Sequence, residues 1–273
     1  MPKLDVNCLA QELYAAYKNG GIIMPPTSRD SGFDLTSAYA VEGELKRLRV
    51  EQGATPVGRK VGYANKAVWR ILKLETLVWG SMYSDTVRYA SGNHARLNLD
   101  GMRSAKIEPE IVFGLREPPS GEVIEPAAVL NAVEWLAIGF EIIDCPYPDW
   151  KFQPADFVAS FGLHSALIVG ERKQVDADCI SSLLEQLPRL TVRMFKNGEF
   201  VEEGSGKNSL RSPVLCLAEL SRAAAHQPGS ISLQAGEIVS SGTLTAGHLI
   251  ARGESWRVEV GDSLPPALTL ETY

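Results

Sequence analysis

The chain has 273 residues, of which 45% are hydrophobic, and its formal net charge is -6. This length allows one large domain, or a small domain beside a larger one, with a substantial core in either case. The acidic balance and the lack of a Lys/Arg block argue against a nucleic-acid-binding surface, and no apolar run approaches the roughly 20 residues that cross a bilayer.

The start of the chain is amphipathic at once and shows no apolar signal-peptide core, which predicts a cytoplasmic protein. The four cysteines, Cys8, Cys145, Cys179 and Cys216, contain no Cys-x-x-Cys pair. This spacing favours reduced, structural thiols over a zinc site or a disulfide framework.

The first part of the chain reads as helical. Residues 5–19 carry apolar side chains at helical spacing, and Gly20 and Gly21 follow as a C-cap would. A second helical pattern, with Val41 and Leu45 on its apolar face, stops near Gly53. We therefore expect a small N-terminal helical layer over residues 1–55.

From Pro56 the pattern changes to short, β-branched runs. Residues 57–63 predict a strand bounded by glycines, where the backbone approaches something closely, and a short helix is expected at 66–73. Further strands are predicted at 96–99, 107–115, 136–144, 165–169, 190–195, 200–203, 237–240, 256–260 and 267–272, and further helices at 126–135, 177–187 and 212–225. The Asn197-Gly198 pair predicts a hairpin turn. The expected fold class is α+β, with a β-rich catalytic domain over 56–273 that is rolled or sandwiched and covered by helices.

Three glutamates lie on two of these predicted strands. Residues two apart in a strand share a face, so Glu108 and Glu110 are expected to aim their carboxylates at one place among apolar neighbours. Glu141, on the next apolar strand, would complete an all-oxygen set suited to magnesium, manganese or calcium. The pattern alone leaves open a solvated strand face that holds no metal.

Two more polar residues interrupt apolar stretches. Lys60 lies in the glycine-bounded strand, where burial near a metal or an aspartate would suit it to proton transfer or to binding a substrate carboxylate. Asp156 would need a cation such as Lys60 if it is buried, with Ser160 close behind it at the rim of the same pocket. The alternatives are a lysine that reaches solvent and an aspartate that caps a helix.

Other motifs carry weaker signals. The segment 204–210 lacks the P-loop spacing and is interpreted as the end of a hairpin. The hydroxyl-rich run 240–245 could hold a carboxylate or form an ordinary turn. The four histidines show no metal-ligand spacing, and only His94 is considered as an acid or base, with a surface position as its alternative.

Taken together, these segments resemble one family. The pattern is found at 35–41, 58–62, 107–111, 140–144, 197–206 and 235–245. In this order they are similar to the fumarylacetoacetate hydrolase superfamily, in the branch of 2-oxopent-4-enoate hydratases and 4-oxalocrotonate decarboxylases. The resemblance implies a mixed β-roll around Mg²⁺ or Mn²⁺, with Glu108, Glu110 and Glu141 as ligands.

The resemblance also implies an activity. A small 2-oxo acid from aromatic catabolism would bind the metal, Lys60 would move a proton, and water would add to the conjugated double bond. We take Lys60, Asp156 and Ser160 as the candidate catalytic residues of this lyase. The alternatives are decarboxylation of a 2-oxo-enedioate, hydrolytic C–C cleavage of an acylpyruvate, and a non-catalytic partner subunit. The family also implies a homo-oligomer and association with a pathway enzyme.

One position departs from the branch. Where an acidic residue usually precedes a methionine, this chain has Gly80 and Ser81 before Met82. Neither side chain can replace a carboxylate, and Glu75 and Asp85 are the nearest acidic candidates.

Overall fold

The computed structural model describes residues 4–119, 125–227, 229, 231–261 and 267–273. Its N-terminal layer consists of α1 (Val6–Asn19), α2 (Pro26–Arg29) and α3 (Leu35–Glu51). The Asp5 side chain caps the start of α1, and Gly20 ends the helix in the left-handed region with φ 65°.

The remaining α-helices lie between strands. They are α4 (Trp69–Leu72), α5 (Pro126–Asn131), α6 (Pro154–Ala159), α7 (Ile180–Arg189) and α8 (Pro213–His226). The strands are β1 (Pro56–Gly62), β2 (Val78–Tyr83), β3 (Val87–Tyr89), β4 (His94–Leu97), β5 (Lys106–Leu115), β6 (Val133–Ile143), β7 (His164–Val169), β8 (Lys173–Gln174), β9 (Thr191–Lys196), β10 (Glu199–Ser205), β11 (Ile238–Thr243), β12 (His248–Leu249), β13 (Ser255–Val260) and β14 (Ala267–Thr272).

The described residues form two mixed sheets. The larger follows the order β2-β1-β11-β5-β6-β7-β3, with β12 paired to β5 and β8 paired to β6. Within it β1 runs parallel to β11 and β3 runs parallel to β7, while the other pairs are antiparallel. The smaller sheet follows the order β10-β9-β13-β14-β4. This arrangement, with its helical cover, confirms the expected α+β class.

The helical layer and the sheets share one core. Buried Leu13 of α1 and Leu45 of α3 belong to the same apolar cluster as Val61 of β1 and Phe113 of β5. The boundary near residue 55 is therefore a change of secondary structure across a continuous core. Among the described helices, none combines the length and the apolar character that crossing a membrane requires.

Several local expectations agree with the structure and others do not. The Asn197-Gly198 turn joins β9 to β10 with positive φ at both residues, as predicted. The helix expected over 126–135 is wrong beyond Asn131, because Val133 and Trp135 pair with β5 as the start of β6. Strand β2 was not predicted, since Gly80 and Ser81 interrupt its apolar run.

Two glycines of β1 allow neighbouring groups to lie very close to the strand backbone, as the sequence predicts. A Cβ at Gly58 would lie 1.9 Å from the Ile238 carbonyl oxygen, and one at Gly62 would lie 2.3 Å from the Phe157 ring. No other residue type fits either position, so these two glycines permit the β1–β11 pairing and the packing of Phe157 under β1.

Gly80 is another position where a larger side chain would clash with the backbone of a neighbouring segment. A Cβ there would lie 2.6 Å from the Phe161 backbone, whereas nothing lies within 4 Å of a Cβ at Gly43 in α3. We expect Gly80→Ala to lower the free energy of unfolding by about 1–3 kcal/mol, as overpacking typically does. Gly43→Ala, in an exposed helix interior, should raise it by about 0.5–1 kcal/mol. Urea unfolding of both variants checks the pair, and a Gly80→Ala protein as stable as the wild type would contradict the packing described.

Candidate active site

The candidate site is built by four neighbouring strands, β1, β11, β5 and β6. Lys60 of β1 pairs in register with Ser240 of β11, and Glu108 of β5 pairs with Glu141 of β6. The strand order brings these side chains together, although they come from distant parts of the sequence. The register of the sheet therefore sets the geometry of the site.

The three glutamates converge on one point. Each of Glu108, Glu110 and Glu141 offers a carboxylate oxygen, and these oxygens lie within 4.8 Å of one another. Glu110 and Glu141 are buried, while Glu108 is partly exposed to a cavity. The structure thus brings together the set that the strand periodicity suggested.

Glu110 is held by β11. Its Oε2 accepts hydrogen bonds from Ser240 Oγ at 2.5 Å and from Gly242 N at 2.8 Å. The β11–β5 pairing is irregular between Ser240 and Thr243, and Gly242 has φ 90°, so a bulge turns both donors toward the carboxylate. The run 240–245 therefore does hold a carboxylate, namely that of Glu110.

Glu141 has a partner on each oxygen. Lys60 Nζ lies 3.0 Å from Oε2, and His164 Nδ1 lies 3.1 Å from Oε1. Burial, followed by the charge of Lys60, lowers the pKa of His164 to about 3, so its imidazole is neutral. It donates from Nδ1 to Glu141, and its Nε2 lies 2.9 Å from Thr86 Oγ1, which can donate to it. Sequence analysis missed His164, because nothing local shows that β7 lies beside Glu141.

The electrostatics of the site are dominated by crowded negative charge. Burial first, and then the neighbouring glutamates, raise the pKa of Glu108 and of Glu110 to about 8, although Lys60 opposes the shift. Burial also raises the pKa of Glu141. For Lys60, burial alone would lower the pKa, but Glu141, Glu108 and Glu110 together outweigh it and raise the pKa. Lys60 is therefore a charged ammonium in a buried site.

These residues fit a divalent cation. Three carboxyl groups face a single ammonium, and the raised pKa of Glu108 and Glu110 shows that ionising all three together is unfavourable without a further cation. Glu108 accepts no hydrogen bond from any other described residue, so its carboxylate is available to a ligand in the cavity. An all-oxygen, carboxylate-rich set is the kind that hard cations such as Mg²⁺, Ca²⁺ or Mn²⁺ prefer.

A cavity of about 390 Å³ opens above the cluster. Its wall is mostly apolar and aromatic, with a few polar groups. Lys60, Val61, Gly62, Tyr63, Ala64, Asn65, Val68, Lys106, Glu108, Glu110, Ile143, Trp150, Phe152, Phe157, Leu163, Asn208, Gly242, Thr243 and Gly247 line it. This size and lining suit a small organic acid.

Comparison with known proteins places the chain in a family. The model of the fumarylacetoacetate (FAA) hydrolase C-terminal family matches residues 66–268. The chain belongs to this family. It is 30% identical over 257 residues to a 4-oxalocrotonate decarboxylase from Pseudomonas sp., covering 94% of each protein. It is 29% identical to a 2-hydroxypent-2,4-dienoate hydratase from Pseudomonas putida, covering 83% of this chain and 98% of that one.

A solved structure of the fumarylacetoacetate hydrolase fold has the same architecture. This is the 4-oxalocrotonate decarboxylase from Pseudomonas putida G7, complexed with magnesium and adipate, which superimposes with a TM-score of 0.87 and 26% identity. The alignment covers 98% of this chain and 97% of that one. The mixed β-roll expected from the resemblance is therefore confirmed.

Asp156 and Ser160 lie behind the wall of the cavity. Asp156 is fully buried, and its carboxylate accepts hydrogen bonds from Thr27 N, Thr27 Oγ1 and Gln153 N. The expected cation partner is wrong, because Lys60 pairs with Glu141 and Asp156 caps α6. Ser160 Oγ donates to the Asp156 carbonyl. Neither side chain lines the cavity, and both lie behind Phe157 on α6 or at its end.

The position where the family branch usually has an acid is turned away from the glutamates. Gly80 pairs with Lys60 and shares its face, but Ser81 pairs with Arg59 and lies on the opposite face. There Ser81 Oγ donates to the buried carboxylate of Glu42 in α3. The carboxylate beside Ser81 is therefore that of Glu42, and it lies on the opposite side of the sheet from the cavity.

The other acid and base candidates lie elsewhere. Glu75 is exposed, and Asp85 pairs with Arg49 at 2.6 Å. His94 is exposed on β4 in the smaller sheet, which confirms its surface position. Among the described histidines, only His164 contacts the glutamate cluster.

The Lys60–Glu141 pair generates a stability prediction for the metal-free protein. Lys60→Met leaves the buried Glu141 carboxylate without its cation, which should cost about 3 kcal/mol of unfolding free energy. The double variant Lys60→Met/Glu141→Gln should lose less than the sum of the single variants, by about 0.5–3 kcal/mol. Urea unfolding with chelator measures both effects. Lys151→Met, in an exposed pair with Asp149, is the matched control, and a Lys60→Met variant within about 0.5 kcal/mol of it would contradict the pairing.

Proposed function

We propose that the chain is a divalent-metal-dependent lyase that adds water to a small 2-hydroxy-2,4-dienoate, or to its 2-oxo-4-enoate tautomer, in aromatic catabolism. The observation that carries the proposal is the cluster of three carboxylates and a buried lysine at the floor of an aromatic cavity. The similarity to a 2-hydroxypent-2,4-dienoate hydratase over most of both chains supports this substrate class.

Glu108, Glu110 and Glu141 would hold the cation, and Mg²⁺ or Mn²⁺ is the proposed metal. The carboxylate donors suit both ions, and the similar decarboxylase was solved with magnesium. A cation held there would polarise the 2-oxo group and stabilise negative charge on that oxygen. Ser240, Gly242 and His164 orient two of the three carboxylates and so preorganise the site.

Lys60 is the proposed proton carrier. Its ammonium is buried, lies 3.0 Å from Glu141 and faces the cavity beside Phe157, so it can reach a substrate held at the carboxylates. Its ammonium would donate a proton to the terminal carbon of the dienol and recover one from the 2-hydroxyl group, which gives the 2-oxo-3-enoate. Water then adds across C3 and C4, with hydroxyl bonded to C4 and a proton to C3.

Two asparagine amides that line the cavity are proposed to orient that water. Asn65 Oδ1 accepts from Ala67 N, which leaves its amide N–H groups available as donors. Asn208 Nδ2 donates to the Leu244 carbonyl at 2.7 Å, which leaves its Oδ1 as an acceptor. One donor and one acceptor can hold a water molecule without a carboxylate at position 80 or 81.

Asp156 and Ser160 support the reaction from behind the wall. Their hydrogen bonds fix α6, which carries Phe157, and Lys60 Nζ lies 4.9 Å from the centre of that ring. We therefore assign both residues to positioning Lys60 and propose no proton transfer through them.

Decarboxylation of a 2-oxo-enedioate is the second candidate. The similarity to 4-oxalocrotonate decarboxylases covers nearly the whole chain, and the reaction needs the same electron sink at the 2-oxo oxygen. Acylpyruvate hydrolysis has less support, because the histidine–carboxylate pair expected of it has no counterpart at residues 24–34 and His94 lies in the other sheet.

The chain is further proposed to form a homo-oligomer and to associate with a pathway enzyme. Exposed apolar side chains such as Ile22, Ile71 and Leu249 support self-association, since such groups gain from burial at an interface. The cysteines are free thiols, which fits the proposed cytoplasmic location.

The decisive assay follows the ultraviolet absorbance of 2-hydroxypenta-2,4-dienoate with Mg²⁺, with Mn²⁺ and with chelator. We expect loss of the diene signal only with metal.

Glu108→Gln should weaken Mn²⁺ binding more than tenfold, because it removes a charged ligand. Glu134→Gln, exposed on the same strand as Glu141, should leave binding unchanged. Full Mn²⁺ affinity in Glu108→Gln would rule out the proposed ligand set, and carbon dioxide release from an enedioate without diene hydration would favour the decarboxylase.

The role of Lys60 has its own test. Lys60→Met, assayed with saturating metal, should lower kcat by about 10²–10⁴-fold, the usual contribution of a positioned acid or base. Mn²⁺ binding and circular dichroism of the variant show whether the site itself persists. Unchanged turnover in a folded, metal-loaded variant would rule out proton transfer by Lys60.

A further inference from the structure

Glu108 is held differently from the other two glutamates of the cluster. Glu110 and Glu141 accept hydrogen bonds from neighbouring strands, whereas Glu108 accepts none from the described residues. Its carboxylate instead lies against the backbone of Gly247, where a Cβ would lie 2.8 Å from Glu108 Oε1. Glycine is needed there for this close approach, and the position of the Gly247 backbone limits where the Glu108 carboxylate can lie.

Gly247 belongs to a short segment, residues 244–248, that joins β11 to β12. At its start, Leu244 N donates to the Pro109 carbonyl at 2.9 Å. At its end, His248 pairs with Ile107. The segment is therefore attached to β5 at the two residues that flank Glu108, and residues 245–247 bulge out beside the Glu108 side chain.

The middle of this segment is held by Glu202 of β10, which belongs to the smaller sheet. Glu202 Oε2 accepts a hydrogen bond from Ala246 N at 3.1 Å and lies 2.7 Å from His248 Nε2. The His248 ring stacks on Trp256 of β13, with the ring centroids 5.9 Å apart and an angle of 29° between the planes. Two strands of the smaller sheet thus fix the residues on either side of Gly247.

Glu202 and His248 are not ligands of the proposed cation. Neither side chain lines the cavity, and neither belongs to the carboxylate cluster. Glu202 can therefore act on a bound cation in two ways, through the segment that its hydrogen bonds hold or through its charge. Substitutions that keep the hydrogen bonds and remove the charge separate the two.

We propose that Glu202 and His248 are positioning residues that set the affinity of the metal site by fixing Gly247 against Glu108. This inference rests on the proposed function in one respect, that a divalent cation binds at the three glutamates. A free Glu108 side chain would lose rotamer entropy on coordinating the cation, and a side chain that is already confined loses less. The smaller sheet thereby contributes to the metal site, although the three glutamates lie on the larger sheet.

Calorimetric titration with Mn²⁺ tests the proposal. Glu202→Ala should weaken Mn²⁺ binding by about 10–100-fold, the usual effect of removing an outer-shell partner. Glu202→Gln should keep most of the affinity, because a single oxygen accepts both bonds and an amide oxygen can replace it. Glu203→Ala is the matched control, since Glu203 is exposed, carries the same charge and points to the opposite face of β10. It should leave Mn²⁺ binding unchanged.

A double-mutant cycle shows whether the effect passes through Glu108. In a Glu108→Ala background, Glu202→Ala should cause little further loss of Mn²⁺ affinity, because no carboxylate remains to be positioned. His248→Phe keeps a ring on Trp256 and removes the donor to Glu202. It should weaken Mn²⁺ binding in the same direction as Glu202→Ala but by less, since Ala246 N still donates.

Four results would overturn the positioning role. One is wild-type Mn²⁺ affinity in Glu202→Ala. Equal losses in Glu202→Ala and Glu202→Gln, or a loss in Glu203→Ala, would assign the effect to charge. An undiminished loss in the Glu108→Ala background would show that Glu202 acts elsewhere. If Glu202→Ala fails to fold, His248→Phe supplies the same comparisons.

The proposed lyase function is judged separately by dienoate turnover. Mn²⁺ affinity that depends on Glu202, in a protein that turns over no dienoate, would retain the positioning role and remove the function. Turnover in a protein whose Mn²⁺ affinity does not depend on Glu202 would do the reverse. A wild-type protein that binds no Mn²⁺ would exclude the positioning role.

Discussion

The concentration of three carboxylates around one buried ammonium is the constraint on which the rest of the site depends. Like charges at this separation in a largely buried site repel strongly, and Lys60 compensates only part of that repulsion. The arrangement persists because each carboxylate is fixed by the sheet: Glu110 by the β11 bulge, Glu141 by Lys60 and His164, and Glu108 by its position on β5. The fold therefore holds a geometry that the isolated side chains would avoid, and a divalent cation is the natural way to relieve it.

The strand periodicity predicted a good part of this arrangement. The two-residue repeat placed Glu108 and Glu110 on one face, and the apolar stretch around Glu141 indicated a neighbouring strand. The glycines around Lys60 indicated close packing, which the contacts of Gly58 and Gly62 show. These features are local, so a single sequence displays them. The resemblance to a family then supplied a common role for residues that are separate in the chain.

The rest depended on which strands are neighbours, and local pattern does not encode that. His164 contacts Glu141 because β7 pairs with β6, and Asp156 is satisfied by Thr27, which lies 129 residues earlier. The helix predicted at 126–135 ran too far for the same reason, because pairing with β5 outweighs the local helical pattern.

The parallel pairing of β1 with β11 has a consequence for how the molecule folds. Lys60 and its register partner Ser240 lie near opposite ends of the sequence, and the carboxylates come from the strands between them. Closing such a long loop is entropically costly, so this pairing is expected late on the folding pathway, after the β5–β6 pair has formed. Until then Glu141 lacks its lysine. A ligand of the completed site would therefore slow unfolding and leave the rate of folding nearly unchanged. The ligand would in this way increase the kinetic stability of the native state.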